Sequence, residues 1–203
     1  MEAIDELTAD LGWRETELAL LKVFLQRKDV TAKQHGVLAR AAWSLLYAHY
    51  EGYAKFCLTL FFERAARTVA SCQLLPPKTK EYALFVELKR IRSLPASDFL
   101  QMLETFAATT GAQKPNFPEV DTRSNLWPGV LEDLLTLADI KCASIEKNRI
   151  LLKALVGKRN GIAHGQAVDA TYEDYLKQEN AVYEVLYELA YEVDARLKAP
   201  PFV

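Results

Sequence analysis

The sequence predicts an all-α fold, and three features carry that prediction. Apolar residues recur at spacings of three and four along almost the whole chain. No stretch sustains the period-two alternation of a half-buried strand. The breaks fall where proline, glycine and short polar residues cluster. A chain of 203 residues, half of them hydrophobic, can bury one sizeable core, which points to a single domain over 1–203.

The elements follow in order. A first helix over about 3–28 carries Ile4, Leu7, Leu11, Leu18, Leu21 and Leu25 on one side. A polar break at 29–34 offers Thr31 as N-cap of a second helix over about 32–71. This is the longest segment, and its length marks it as a structural spine. Pro76-Pro77 ends that region, since proline cannot continue a helix and restricts the residue before it. Shorter helices are predicted over 78–91 and over 96–107, the latter capped by Ser97 or Asp98. The stretch 109–125, with two prolines and a glycine among polar residues, is the clearest loop. Pro128 suits the first turn of a helix over 128–137. Another helix begins near Ser144, and a last one over 172–197 stops before Pro200-Pro201.

The formal net charge of −2 provides no overall basic field, so any contact with nucleic acid must be local. Cys57, Cys72 and Cys142 fit neither a zinc spacing nor a disulfide framework and read as buried free thiols. The acidic start MEAIDELTADLGWRE lacks the pattern of a signal peptide, and no apolar run reaches membrane-spanning length. The expectation is a soluble, cytoplasmic protein. No carboxylate, histidine or cysteine cluster has metal-ligand spacing, and no phosphate-binding glycine loop is present, so neither metal nor cofactor is predicted. Glu87-Leu88-Lys89 matches a fragment of a metal-nuclease motif, but it lies in a helical pattern without an acidic partner. Trp13, Trp43 and Trp127 read as core. Tyr172, Tyr175, Tyr183, Tyr187 and Tyr191, on one helix, suit core and interface packing better than base stacking.

One stretch stands apart: KRNGIAHGQ, Lys158 to Gln166, with one of the three histidines between two glycines. On a continuous helix Arg159 and His164 would lie about 140° apart and about 7.5 Å apart along the axis. They do not face a common point. Two arrangements would bring such groups together: a helix broken at Gly161, or a second copy of the stretch across a two-fold axis. Asn160, four residues before His164, shares its face and is placed to orient the imidazole. Gly165 sits like a helix stop, and a glycine at 161 lets another backbone or a substrate come close. A plainer reading has both glycines simply ending the helix, with His164 bonding last-turn carbonyls.

Arg159-Asn160-Gly161-Ile162-Ala163-His164 resembles the R-x4-H motif of the HEPN superfamily. The resemblance extends, in order, over AAWSLLYAHYEGYAKF, SNLWPGVLEDLL and LVGKRNGIAHG, and covers roughly 38–191. These segments are similar to those of a prokaryotic HEPN branch associated with toxin and defence loci. The resemblance implies an α-helical bundle with a long central helix. It also implies a homodimer whose two motifs share a cleft, and a metal-independent endoribonuclease that leaves 2',3'-cyclic phosphate ends. By the same resemblance Arg159 is the phosphate and transition-state ligand, His164 the general acid or base, and Asn160 an orienting group. RNA is the implied substrate, with a cognate antitoxin or defence partner alongside. Lys158 adds substrate attraction or is simply solvated. Glu51 lines the cleft or pairs with Lys55. His49 and His35 are read as structural. In HEPN toxins paired with nucleotidyltransferase antitoxins a tyrosine commonly follows the histidine by two residues. Gln166 stands there instead, which argues against that switch. A non-catalytic HEPN module binding RNA, a nucleotide or a partner protein is the alternative.

Overall fold

In the computed structural model, which describes residues 2–203, helix α1 (Ala3–Leu25) buries Ala3, Leu7, Leu11, Leu18 and Leu25 along one stripe. That stripe packs on α2 (Ala32–Thr68) and α9 (Tyr172–Leu197). Thr31 starts α2: its hydroxyl accepts from Gln34 N at 3.3 Å while Gln34 Oε1 accepts from Thr31 N at 2.8 Å. With 37 residues, α2 is about 55 Å long. It is touched by α1, α9 and α8 (Arg149–Ala163), so it is apolar around much of its circumference. Trp43, Leu46, Tyr47, Tyr50, Tyr53, Leu58 and Phe61 of this helix are all buried. The predicted spine is therefore the centre of the core, and among the described residues the regular structure is entirely helical.

Several boundaries differ from the sequence prediction, each for a local reason. The predicted helix over 78–91 is two helices, α3 (Pro77–Ala83) and α4 (Phe85–Arg92). Leu84 turns the chain between them at φ −98° and ψ 4°, a change of direction that buries its side chain. Pro95, not Ser97 or Asp98, caps α5 (Ala96–Thr105), because its ring presets φ at −53° and Ser97 bonds Asp98 instead. Beyond α6 (Pro128–Leu137), the predicted helix from Ser144 is divided into α7 (Ala143–Lys147) and α8. Between these two, Asn148 Nδ2 donates to Ser144 O at 3.0 Å and to Glu184 Oε2 at 2.9 Å, a local bonding pattern that competes with a continuous helix. Helix α2 stops at Thr68, before a short 3-10 turn at Cys72–Leu74.

Two tryptophans are not core. Trp13 is 50% exposed, its indole N–H donating to Asp10, and Trp127 is partly exposed at the start of α6; only Trp43 is buried. Of the three thiols, Cys57 and Cys72 are buried and Cys142 is half-buried. Burial pushes the Cys142 thiol up to about 12. Of the tyrosines on α9, Tyr175 is buried, whereas Tyr187 and Tyr191 are exposed. No helix among the described residues is long and apolar enough to cross a membrane.

Candidate active site

Helix α8 runs unbroken through Gly161 and ends at Ala163. Its termination is fully bonded: Gly165 N donates to Ile162 O at 3.0 Å and Gln166 N to Gly161 O at 2.9 Å, with Gly165 at φ +74°. This is the Schellman pattern, and it needs a residue tolerant of the left-handed region at position 165. Gly161 serves a different need. A Cβ there would lie 2.9 Å from both Gln166 Oε1 and Val168 Cγ2, so the close approach it permits is by the chain's own returning segment. His164, as the C-cap residue, is left exposed at the helix end.

Arg159 lies in a nest built by three separate parts of the chain. Its guanidinium carbon sits 4.0 Å from the centre of the Tyr47 ring, a cation–π contact. Its NH1 donates to Asn125 Oδ1 and to Asn160 Oδ1, both at 2.9 Å, and Glu51 Oε2 is 3.7 Å from NH2. Tyr47 and Glu51 come from adjacent turns of α2, and Asn125 comes from the loop before α6. The Tyr47 hydroxyl in turn accepts from Leu126 N at 2.9 Å, tying that loop to α2. Burial pushes the Tyr47 phenol up to about 12, so it stays a neutral platform. The guanidinium side chain nevertheless remains 26% exposed, which leaves it reachable by an anion.

The loop that delivers Asn125 is strained. Arg123 and Ser124 occupy the left-handed region in succession, at φ 53° and φ 67°. Each costs about 1–2 kcal/mol for a residue with a Cβ. Asp121 Oδ1 supports the turn by accepting from Arg123 N at 2.8 Å, and Trp127 N donates to Asn125 O at 2.9 Å.

The residues singled out in the sequence are thus sorted. Arg159, Asn160 and Glu51 come together; His164 stands apart at the end of α8. Asn160 bonds the arginine rather than the imidazole, because the long Arg159 side chain folds back along the helix to reach it. Glu51 faces Arg159 and not Lys55, whose ammonium is 2.8 Å from Glu119. Lys158 is not a freely solvated cation: its Nζ lies 4.3 Å over the Trp43 ring and 3.9 Å from Asp174. His49 is buried on the opposite side of α2, with Glu17 at 2.7 Å and Arg14 at 3.5 Å. His35 Nε2 lies 2.5 Å from Leu25 O, closing the end of α1. Tyr47 and Asn125 were not assigned from sequence. The available signal was that each lies in one of the ordered segments around the motif.

Among the described residues no three His, Cys, Asp or Glu side chains are grouped to hold a metal ion. No curated protein and no solved structure matches the chain. A family model, HEPN_MAE_28990-like HEPN, matches residues 3–202. That match takes in helices α1 to α9 of the described residues, with the R-x4-H stretch at the end of α8 and the three segments that converge on Arg159, and the chain belongs to this HEPN family.

Proposed function

We propose that the protein is a metal-independent HEPN endoribonuclease whose active site is completed by a second copy of the chain. The carrying observation is Arg159: a permanent cation fixed by Tyr47, Asn125, Asn160 and Glu51, yet partly open to solvent. Arginine's planar fork matches phosphate oxygens, and a side chain held before substrate arrives loses little further freedom on binding. His164, exposed at the helix end, carries an imidazole, a group that can give or take a proton. Along one helix their positions diverge by about 140°. Two motifs related by a two-fold axis would supply two arginines and two histidines to one cleft.

In the proposed reaction the RNA 2'-hydroxyl attacks the adjacent phosphorus while one His164 takes its proton. The other His164 protonates the departing 5'-oxygen as the P–O5' bond breaks, leaving a 2',3'-cyclic phosphate and a 5'-hydroxyl. Arg159 stabilises the charge that accumulates on the phosphorane. Asn160 and Asn125 position the guanidinium, and Lys158 and Glu51 shape the field around it. The proposed setting is the cytoplasm, as a toxin or defence effector with a cognate antitoxin or defence partner, the chain acting as one HEPN unit over 1–203.

The test is cleavage of RNA by purified protein in EDTA, with end-group analysis. Arg159→Ala and His164→Ala should each abolish cleavage while the chain stays folded and keeps its oligomeric state, with a lowered thermal transition expected for Arg159→Ala alone. Persistent cleavage by both variants would overturn the assignment. A second reading, a non-catalytic RNA- or nucleotide-binding HEPN module, is favoured by Glu51, whose carboxylate already faces the arginine. Tight RNA binding with no turnover across varied sequences would select it.

A further inference from the structure

Helix α4 carries a stripe that the core does not use. Phe85, Lys89 and Arg92 fall at i, i+4 and i+7, within about 60° of one another, and all three are exposed. Lys89 and Arg92 have no ion-pair partner among the described residues, whereas the neighbouring Arg90 is held by Glu87 at 2.9 Å. In a chain of formal net charge −2, two unengaged cations in line with a 56% exposed phenylalanine form a local basic, aromatic surface. The helix also stands clear of the bundle: it packs on α3 and α5, and α5 packs on no other helix and buries no residue.

At the base of the stripe Phe85 forms one wall of a cleft of about 360 Å³, with Tyr82, Pro118, Leu134 and Arg123 around it. That volume falls in the range of clefts that take a small organic ring system. Glu119 and Asp121 stand at its edge, Glu119 paired with Lys55 and Arg123 paired with Asp133 at 3.0 Å. Carboxylates there repel phosphate but accept from the amino and ring N–H groups of a nucleobase, so the cleft suits a base and the helix suits the backbone. Arg123 is two residues before Asn125, whose amide holds Arg159. The cleft thus adjoins α4 through Phe85 and the loop of the arginine nest through Arg123.

We propose that α4 and this cleft form a single-stranded RNA track leading to Arg159. Lys89 and Arg92 hold phosphates, and Phe85 with Tyr82 receives a base flanking the scissile phosphate. The track rests on the RNA reading of the site, and it accounts for how an acidic chain holds an anionic strand.

The experiment is fluorescence anisotropy of the full chain with a short, uncleavable 2'-O-methyl RNA across a salt series, alongside cleavage of normal RNA. Replacing Lys89→Gln and Arg92→Gln together should reduce the slope of log affinity against log salt by about 1.4, two single-strand phosphate contacts. Phe85→Ala should weaken binding by about tenfold with the slope unchanged. A charge-matched control, Lys33→Gln with Lys177→Gln on other faces, should do neither. All these side chains are exposed, and a circular dichroism melt checks that each variant folds. If Lys89 and Arg92 behave as the control pair does, the track is overturned, and the basic face is assigned to an acidic protein surface. The two readings separate cleanly. Arg159-dependent cleavage with affinity indifferent to Phe85, Lys89 and Arg92 removes the track alone. Track-dependent binding without cleavage removes the catalytic reading alone. Absence of RNA binding by the unmodified chain removes both.

Discussion

Two glycines four residues apart, Gly161 and Gly165, illustrate how differently one residue type can be used. Gly165 is at φ +74° with nothing within 4 Å of its missing Cβ, so Gly165→Ala should cost about 1–2 kcal/mol through backbone strain alone. Gly161 is helical, and alanine there would gain up to about 1 kcal/mol in helix propensity, but its Cβ would meet Gln166 Oε1 and Val168 Cγ2 at 2.9 Å. The Gln166 amide can swing away; the branched Val168 cannot. Gly161→Ala should therefore yield no net stabilisation on its own, and Val168→Ala in the same chain should recover the propensity gain. Denaturant midpoints of the two singles and the double measure that coupling. The same segment explains why Gln166 occupies its position: its N–H completes the helix cap and its side chain covers Gly161. Helical spacing alone gives Asn160 an imidazole-orienting role, whereas its Oδ1 accepts from Arg159. What spacing does not convey is the reach of the arginine beside it.

At the scale of elements, the strained turn before α6 makes a measurable claim. Ser124 occupies the left-handed region at φ 67°, where glycine would be unstrained. Relief of strain, less the greater flexibility of unfolded glycine, should leave Ser124→Gly more stable by up to about 1 kcal/mol, or about 2–4 °C in Tm for a domain of this size. If the strain serves to hold Asn125 against Arg159, the same variant should lose RNA cleavage while gaining stability, and calorimetry with kinetics on one sample reads both. The helices themselves were legible because their signals are local. The apolar stripe of α1, the Thr31–Gln34 cap of α2 and Pro128 at the start of α6 are all visible in the letters. The divisions at Leu84 and Asn148 were not, since each is made by tertiary burial or by a bond to a distant helix. The site divided the same way. Arg159 and His164 stood out by motif, whereas Tyr47 and Asn125 reach the arginine only after α2, the loop and α8 have packed together.

For the whole molecule, acid should weaken the fold from the face opposite the arginine nest. His49 is buried between α1 and α2, facing Glu17, Arg14, Asp10 and the Trp13 ring, and burial holds its imidazole below the usual histidine range. The folded chain thus prefers the neutral ring, while the unfolded chain takes a proton near the ordinary value of about 6.5. Stability from this group is complete above that value and falls as pH drops through it toward the folded pKa. Melting temperatures at successively lower pH should decline in that window, and less steeply in His49→Gln; an identical slope in both would locate the acid sensitivity elsewhere. The proposed shared active site makes the last demand on the molecule. Convergence of two Arg159 and two His164 requires the ends of two α8 helices to approach, and α8 retains an open face toward solvent at Ile150, Ala154 and Gly157. Ile150 is 84% exposed, and nothing lies within 4 Å of a Cβ on Gly157. Within one chain Gly157→Glu meets no obstacle and gains about 0.5 kcal/mol or more of helix propensity. At a two-fold contact it would set a carboxylate against its own copy. The expected outcome is a variant that melts no lower than the parent when dilute, sediments as a monomer at concentrations where the parent is dimeric, and loses cleavage in the same proportion. A dimeric, fully active Gly157→Glu protein would exclude this face of α8 from the two-fold contact.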